Sequence, residues 1–132
     1  MRRARVQRSR RGLAVVELAV CLPAIVLMVL GSIEACSMIF VKQSLHIATY
    51  EGIRRAVRYD ATEQIVLDRC QQILDERGVE SATIELTPNT PDTVERGNEL
   101  TLRISAPVLD NSLLRLRFFD SQLQAEATMV KE

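Results

Sequence analysis

The sequence predicts an α+β fold: a long N-terminal transmembrane helix, continuing as a stalk into a small domain with one further helix and a three-stranded antiparallel sheet. Three observations predict it. Leu13–Ile33 is an apolar stretch of 21 residues whose only charge is Glu17. Helical spacing of apolar residues continues beyond it, without proline, to about Tyr59. After Gly78 the period changes to strict alternation in three separated runs.

Taken in order, the first element is a basic leader. Arg2, Arg3, Arg5, Arg8, Arg10 and Arg11 fall within the first eleven residues, and all 17 acids follow residue 12. The formal charge of zero therefore conceals a polarity. Beyond residue 12 there are 11 basic and 17 acidic residues, a balance of −6. An acidic body excludes non-specific nucleic-acid binding, which needs a basic surface against phosphates.

As a helix, Leu13–Ile33 is about 31 Å long, and a bilayer's hydrocarbon core is about 30 Å thick. The run is too long for the apolar region of a secretory signal peptide, and no small-x-small cleavage site follows it. The arginine-rich end stays cytoplasmic under the positive-inside rule, so the body is expected outside. The chain accordingly divides into a cytoplasmic leader (1–12), a transmembrane helix (13–36), its extracytoplasmic extension (37–59) and a small α+β domain (60–132). The expected location is a bacterial inner membrane, with the domain periplasmic.

Glu17 lies about 6 Å from the start of the span, so it reads either as an interfacial acid or as a carboxylate awaiting a cationic partner. Pro23 removes one helix hydrogen bond, which neighbouring helices can compensate. Gly31 and Ala35 form a small-x-x-x-small pair that permits close helix approach. Glu34 marks the outer boundary.

In the extension, apolar residues recur at Ile39, Phe40, Leu45, Ile47, Ala48, Ala56 and Val57. Gly52 costs up to about 1 kcal/mol relative to alanine there, and close packing against the domain is its expected reason. Glu51 has the spacing to pair with Arg54 and Arg55. A second helix starts after an Asp60 or Thr62 cap, buries Val66, Cys70, Ile73 and Leu74, and stops at Gly78. The strand faces are Ala82, Ile84, Leu86; Leu100, Leu102, Ile104, Ala106; and Leu123, Ala125, Ala127, Met129. Their polar alternates predict one wet face, as in antiparallel sheets. Residues 88–97 form a loop.

Val108–Phe119 admits two readings. It is a crossover lid on the sheet, or a membrane-surface or partner contact through Leu114, Arg115, Arg117, Phe118 and Phe119. The three cysteines form no disulfide framework, and packed thiols are the plainer reading. A Cys36–Cys70 bridge and an intersubunit link through Cys70 stay open.

No metal or cofactor is expected. His46 is the only histidine and has no ligand cluster around it; no nucleophile elbow, phosphate-binding glycine loop or CxxC occurs. Nothing in the sequence supports an enzyme or a small-molecule substrate.

One resemblance is carried by Arg11-Gly12, Val16-Glu17-Leu18-Ala19, Leu22-Pro23, Gly31, Ile33-Glu34, Gln43, Leu45, Ala48 and Glu51-Gly52-Ile53-Arg54. Phe118-Phe119 and the ending Leu123–Glu132 add to it. This pattern resembles TadE-like proteins of tight-adherence (Flp) pilus systems, most strongly over residues 11–54. The basic leader, Gly12 and a glutamate five residues on also look like a prepilin-type peptidase substrate. The resemblance implies a pilin-like pseudopilin serving assembly of a pilus or related secretion machine, either from the membrane or within the fibre itself. Gly12 would be the last leader residue, Leu13 the first mature one, and Glu17 the carboxylate that recognises an α-amine. Its partners would be the peptidase, other pilin-like subunits and assembly proteins. Two other classes remain beside it: a permanent, uncut envelope anchor or adaptor, and a membrane-tethered binding module.

Overall fold

The computed structural model describes residues 6–114 and 121–131, with side chains from Gly12 onward. Its elements are α1 (Val6–Ala56), α2 (Glu63–Glu76), β1 (Thr83–Thr87), β2 (Glu99–Pro107), α3 (Val108–Asn111) and β3 (Gln122–Val130). This is the expected α+β class with a three-stranded antiparallel sheet. The chain divides into two compact units, one ending at Ala35 and the other beginning at Cys36.

In the first unit α1 is already helical at Val6, earlier than the apolar stretch. The leader contributes glutamine and arginines, which are good helix formers, and no proline to interrupt them. The helix also runs through Pro23.

In the second unit the remainder of α1, α2 and the sheet share one core. Val41, Leu45, Ala48, Ile53, Ala56 and Val57 pack with Val66, Cys70, Ile73 and Leu74 of α2 and with Leu86, Leu100, Leu102, Ile104 and Ala125. The four α2 residues are those its periodicity predicts. Ile39, Phe40 and Ile47, also expected in the apolar pattern, instead stay exposed together with Tyr50. The face that packs carries Ser44, Ala48, Gly52 and Ala56, small residues at every fourth position and all buried. Small side chains let the helix backbone approach its neighbours. Ser44 and Thr49 satisfy their buried hydroxyls by donating to the carbonyls of Phe40 (2.9 Å) and Leu45 (2.7 Å), four residues back.

α1 ends at Ala56, three residues before the expected limit. Arg55 there ion-pairs with Asp60 at 2.9 Å rather than with Glu51. That pair engages Asp60, and Thr62 is the cap of α2, its hydroxyl accepting from the Ile65 amide. At the other end Gly78 adopts φ +63°, and the Val79 and Gly78 amides donate to Leu74 and Asp75 carbonyls. This left-handed stop is the one glycine supplies without a Cβ penalty.

The sheet order is β1-β2-β3, antiparallel throughout. Register places Ile84, Ile104 and Ala125 in one row and Leu86, Leu102 and Ala127 in the next. On the opposite face Thr101 and Thr128 share a 2.8 Å hydrogen bond, and Arg103 donates to Glu126 at 2.7 Å. Exposed cross-strand pairs of this kind hold register more than they add stability.

Val108–Phe119 is not one uniform segment. Val108–Asn111 forms a single helical turn, and the Asn111 side chain binds the Glu80 backbone in both directions, at 2.8 and 2.9 Å. Leu113 and Leu114 are exposed, and residues 115–119 lie outside the described residues. The 88–97 loop is anchored from the end of the chain: the buried Lys131 ammonium donates to the Pro91 carbonyl, and the Lys131 amide donates to Asn98 at 2.9 Å.

The cysteines are free in this structure, with Cys21 and Cys36 exposed and Cys70 buried. The Cys70 thiol points to the Ala48 carbonyl at 3.7 Å, within the core, so a bridge to Cys36 or to another subunit would require unpacking it. Burial pushes this thiol up to about 11, against a smaller opposing pull from Arg69. An unfolded cysteine ionises near 8.5, so the folded chain binds the additional proton between these values. That contribution to stability is fully present below pH 8.5 and is lost as pH rises toward 11. Two results are expected: Cys36 alkylates in the native chain while Cys70 does not, and the unfolding midpoint of wild type falls more steeply above pH 9 than that of Cys70→Ala. Parallel pH profiles would remove the assigned role of burial.

Candidate functional site in the N-terminal helix

The residues expected to carry function cluster at the start of α1. Gly12, Leu13 and Glu17 lie on consecutive turns of one unbroken helix. Every side chain from Gly12 to Ile33 is exposed, including Leu13 at 63%, Val20 at 73% and Met28 at 74%. An apolar surface of this size is unfavourable in water and favourable in lipid. By length and composition the helix can cross a membrane. Its backbone meets the demand of such a setting, because helical hydrogen bonds are internal. The Ser32 hydroxyl follows suit, donating to the Met28 carbonyl at 2.8 Å.

Glu17 is the sole charged residue from Gly12 to Ile33, with Leu13 and Cys21 one turn to either side. Gly12 and Gly31 have nothing within 4 Å of where a Cβ would stand. A side chain at either position would meet open space among the described residues. Ala35 is exposed on the Gly31 face.

Gly52 lies apart from these residues, inside the second unit. A Cβ there would stand 2.3 Å from Cys70 Sγ and 2.5 Å from Leu102 Cδ2. It is a packing residue, and its absent side chain brings α1 against both α2 and β2. Leu114 is exposed; Arg115, Arg117, Phe118 and Phe119 lie outside the described residues. His46 is exposed on α1, and among the described residues no group of three or more histidine, cysteine or acidic side chains is placed to hold a metal.

Residues 12–54 match the family model described as TadE-like protein. The match begins at Gly12 and ends two residues past Gly52, so the likeness of the chain's ending falls outside it. No curated protein and no solved structure matches the chain. The apolar exposed helix and this match together point to a membrane, and residues 12–54 are similar to the TadE-like family.

Proposed function

We propose that the protein is a pseudopilin, a minor pilin-like subunit that a prepilin-type peptidase processes after Gly12 and that serves assembly of a tight-adherence pilus. The observation that carries this reading is the TadE-like match starting at Gly12, on a helix whose exposed apolar face bears one acid, Glu17. Cutting after Gly12 would create an α-amine on Leu13, one turn from Glu17. That amine, the subunit's own or a neighbour's, would neutralise a carboxylate that is costly in lipid. Orientation follows from charge: the arginines remain cytoplasmic and the body is periplasmic. The body contributes a folded surface rather than a reaction.

The intact mass of the chain from native membranes tests the proposal. Loss of residues 1–12 is the expected result, and Gly12→Ala is expected to abolish that loss while leaving membrane insertion unchanged. A full-length mass for the wild type would overturn processing. One observation supports the alternative of a permanent, uncut anchor: α1 runs unbroken across Gly12–Leu13, so a peptidase would first have to open the helix.

A further inference from the structure

The body is acidic, yet several of its arginines border one groove. A groove of about 940 Å³ between the end of α1 and α2 is lined by Arg54, Arg55, Arg58 and Arg69, with Glu51 and Asp68. Four of the eleven basic residues beyond residue 12 therefore border one groove. Arg55 is neutralised by Asp60, and Arg58 helps to hold that carboxyl below its usual range. Arg69 donates to the neutral Gln72 amide at 3.2 Å and has no ion-pair partner among the described residues. Arg54 is exposed and has no ion-pair partner among the described residues. Asp68 is engaged by Gln64 at 2.8 Å. Guanidinium groups that line one groove repel one another, and an incoming carboxylate relieves that repulsion.

The opposite charge is gathered at the far end of α2. Asp75 and Glu76 are exposed in its last turn, and the exposed Glu80 follows, its backbone held by the Asn111 side chain. That turn contains no basic residue, so its carboxylates lie at the negative end of the helix dipole. Their hydrogen bonds come from the neutral Gln71 and Gln72 amides, at 2.7 and 2.9 Å. Arg77, half-buried, is the only cation beside them in sequence.

We propose that the arginine groove of one copy receives the Asp75–Glu80 end of α2 from a second copy. Two different, complementary patches on one chain make a heterologous contact, which repeats without closing when the rotation permits. Opposite fields also steer such an encounter and set its register. The proposal rests on the pilin-like reading only for bringing two copies side by side.

Two differently tagged full-length copies, with Cys21 and Cys36 replaced by serine, test it in membranes. One carries Ile65→Cys in the groove wall, and the other carries Glu76→Cys. On oxidation with copper phenanthroline this pair is expected to crosslink at least about fivefold more than Ile65→Cys with Thr128→Cys on the wet sheet face. Arg54→Glu with Arg58→Glu should lower the crosslink to that control, and Asp75→Arg with Glu80→Arg on the other copy should restore it. Equal crosslinking of the two pairs, or survival of the arginine reversal, would overturn the contact. Failure of the swap to restore it would also overturn it and assign the groove to an acidic segment of a different protein. Leader removal is read by mass in the same samples, so loss of the crosslink with processing intact refutes this contact alone.

Discussion

Gly52→Ala is expected to destabilise the body by about 1–2 kcal/mol, although alanine is the better helix former by about 1 kcal/mol. The added Cβ would stand 2.3 Å from Cys70 Sγ and 2.5 Å from Leu102 Cδ2, closer than packed atoms ever come. Leu102 can rotate its terminal methyl, but it is fully buried at the centre of β2 and has little room. Cys70 is held on α2 between neighbours that are themselves buried. Either α1 moves out from the sheet or α2 does, and both options open the core. Gly52→Val should cost more, about 3 kcal/mol or beyond, since it adds β-branching within the same space. Urea unfolding of the full chain in detergent micelles, followed by hydrogen exchange of the β2 amides, measures this. Adding Cys70→Ala to Gly52→Ala should recover part of the loss, because it removes the nearer obstacle. A Gly52→Ala midpoint at or above wild type would defeat the close-approach account.

Glu17→Gln is expected to leave the chain in the membrane while lowering fibre assembly by about tenfold or more, if the pseudopilin reading holds. Glutamine keeps the shape and hydrogen-bonding capacity of the side chain but cannot pair electrostatically with an amine. Insertion should be at least as good as wild type, because the substitution removes the only formal charge of Leu13–Ile33. The loss would then belong to assembly and not to targeting. Membrane fractionation and piliation, measured on the same cells, separate the two. Undiminished piliation would make Glu17 an interfacial acid with no assembly role.

The body shows which features are local and which are not. Thr62 as cap, the Val66, Cys70, Ile73 and Leu74 stripe, and the stop at Gly78 depend on neighbours within one helical turn. The alternating strands were legible for the same reason, since a buried face imposes a period of two on each run separately. α1 was less legible because it is apolar on more than one side. Ile39, Phe40 and Ile47 are as apolar as Val41, Leu45 and Ile53, yet only the latter group is buried. The decisive signal was the run of small residues at Ser44, Ala48, Gly52 and Ala56, which marks where another backbone comes near. The arginines of the groove were visible singly, and Arg54 with Arg55 was read as pairing with Glu51. Asp60, beyond the helix end, takes Arg55 instead.

Sequence alone determined the apolar segment, the polarity of charge around it, the α+β order of elements and the TadE-like stretch. These properties are written in composition and short-range period, which need no partner to be read. Only the tertiary structure decided which side of α1 enters the core, which side chains Gly52 packs against, and how Lys131 reaches Pro91 and Asn111 reaches Glu80. It also decided that four arginines border one groove, whose lining does not include the carboxylates of the last turn of α2. Each of these joins residues far apart in the chain, and no local preference specifies such meetings. They follow from packing two helices and a sheet around one core.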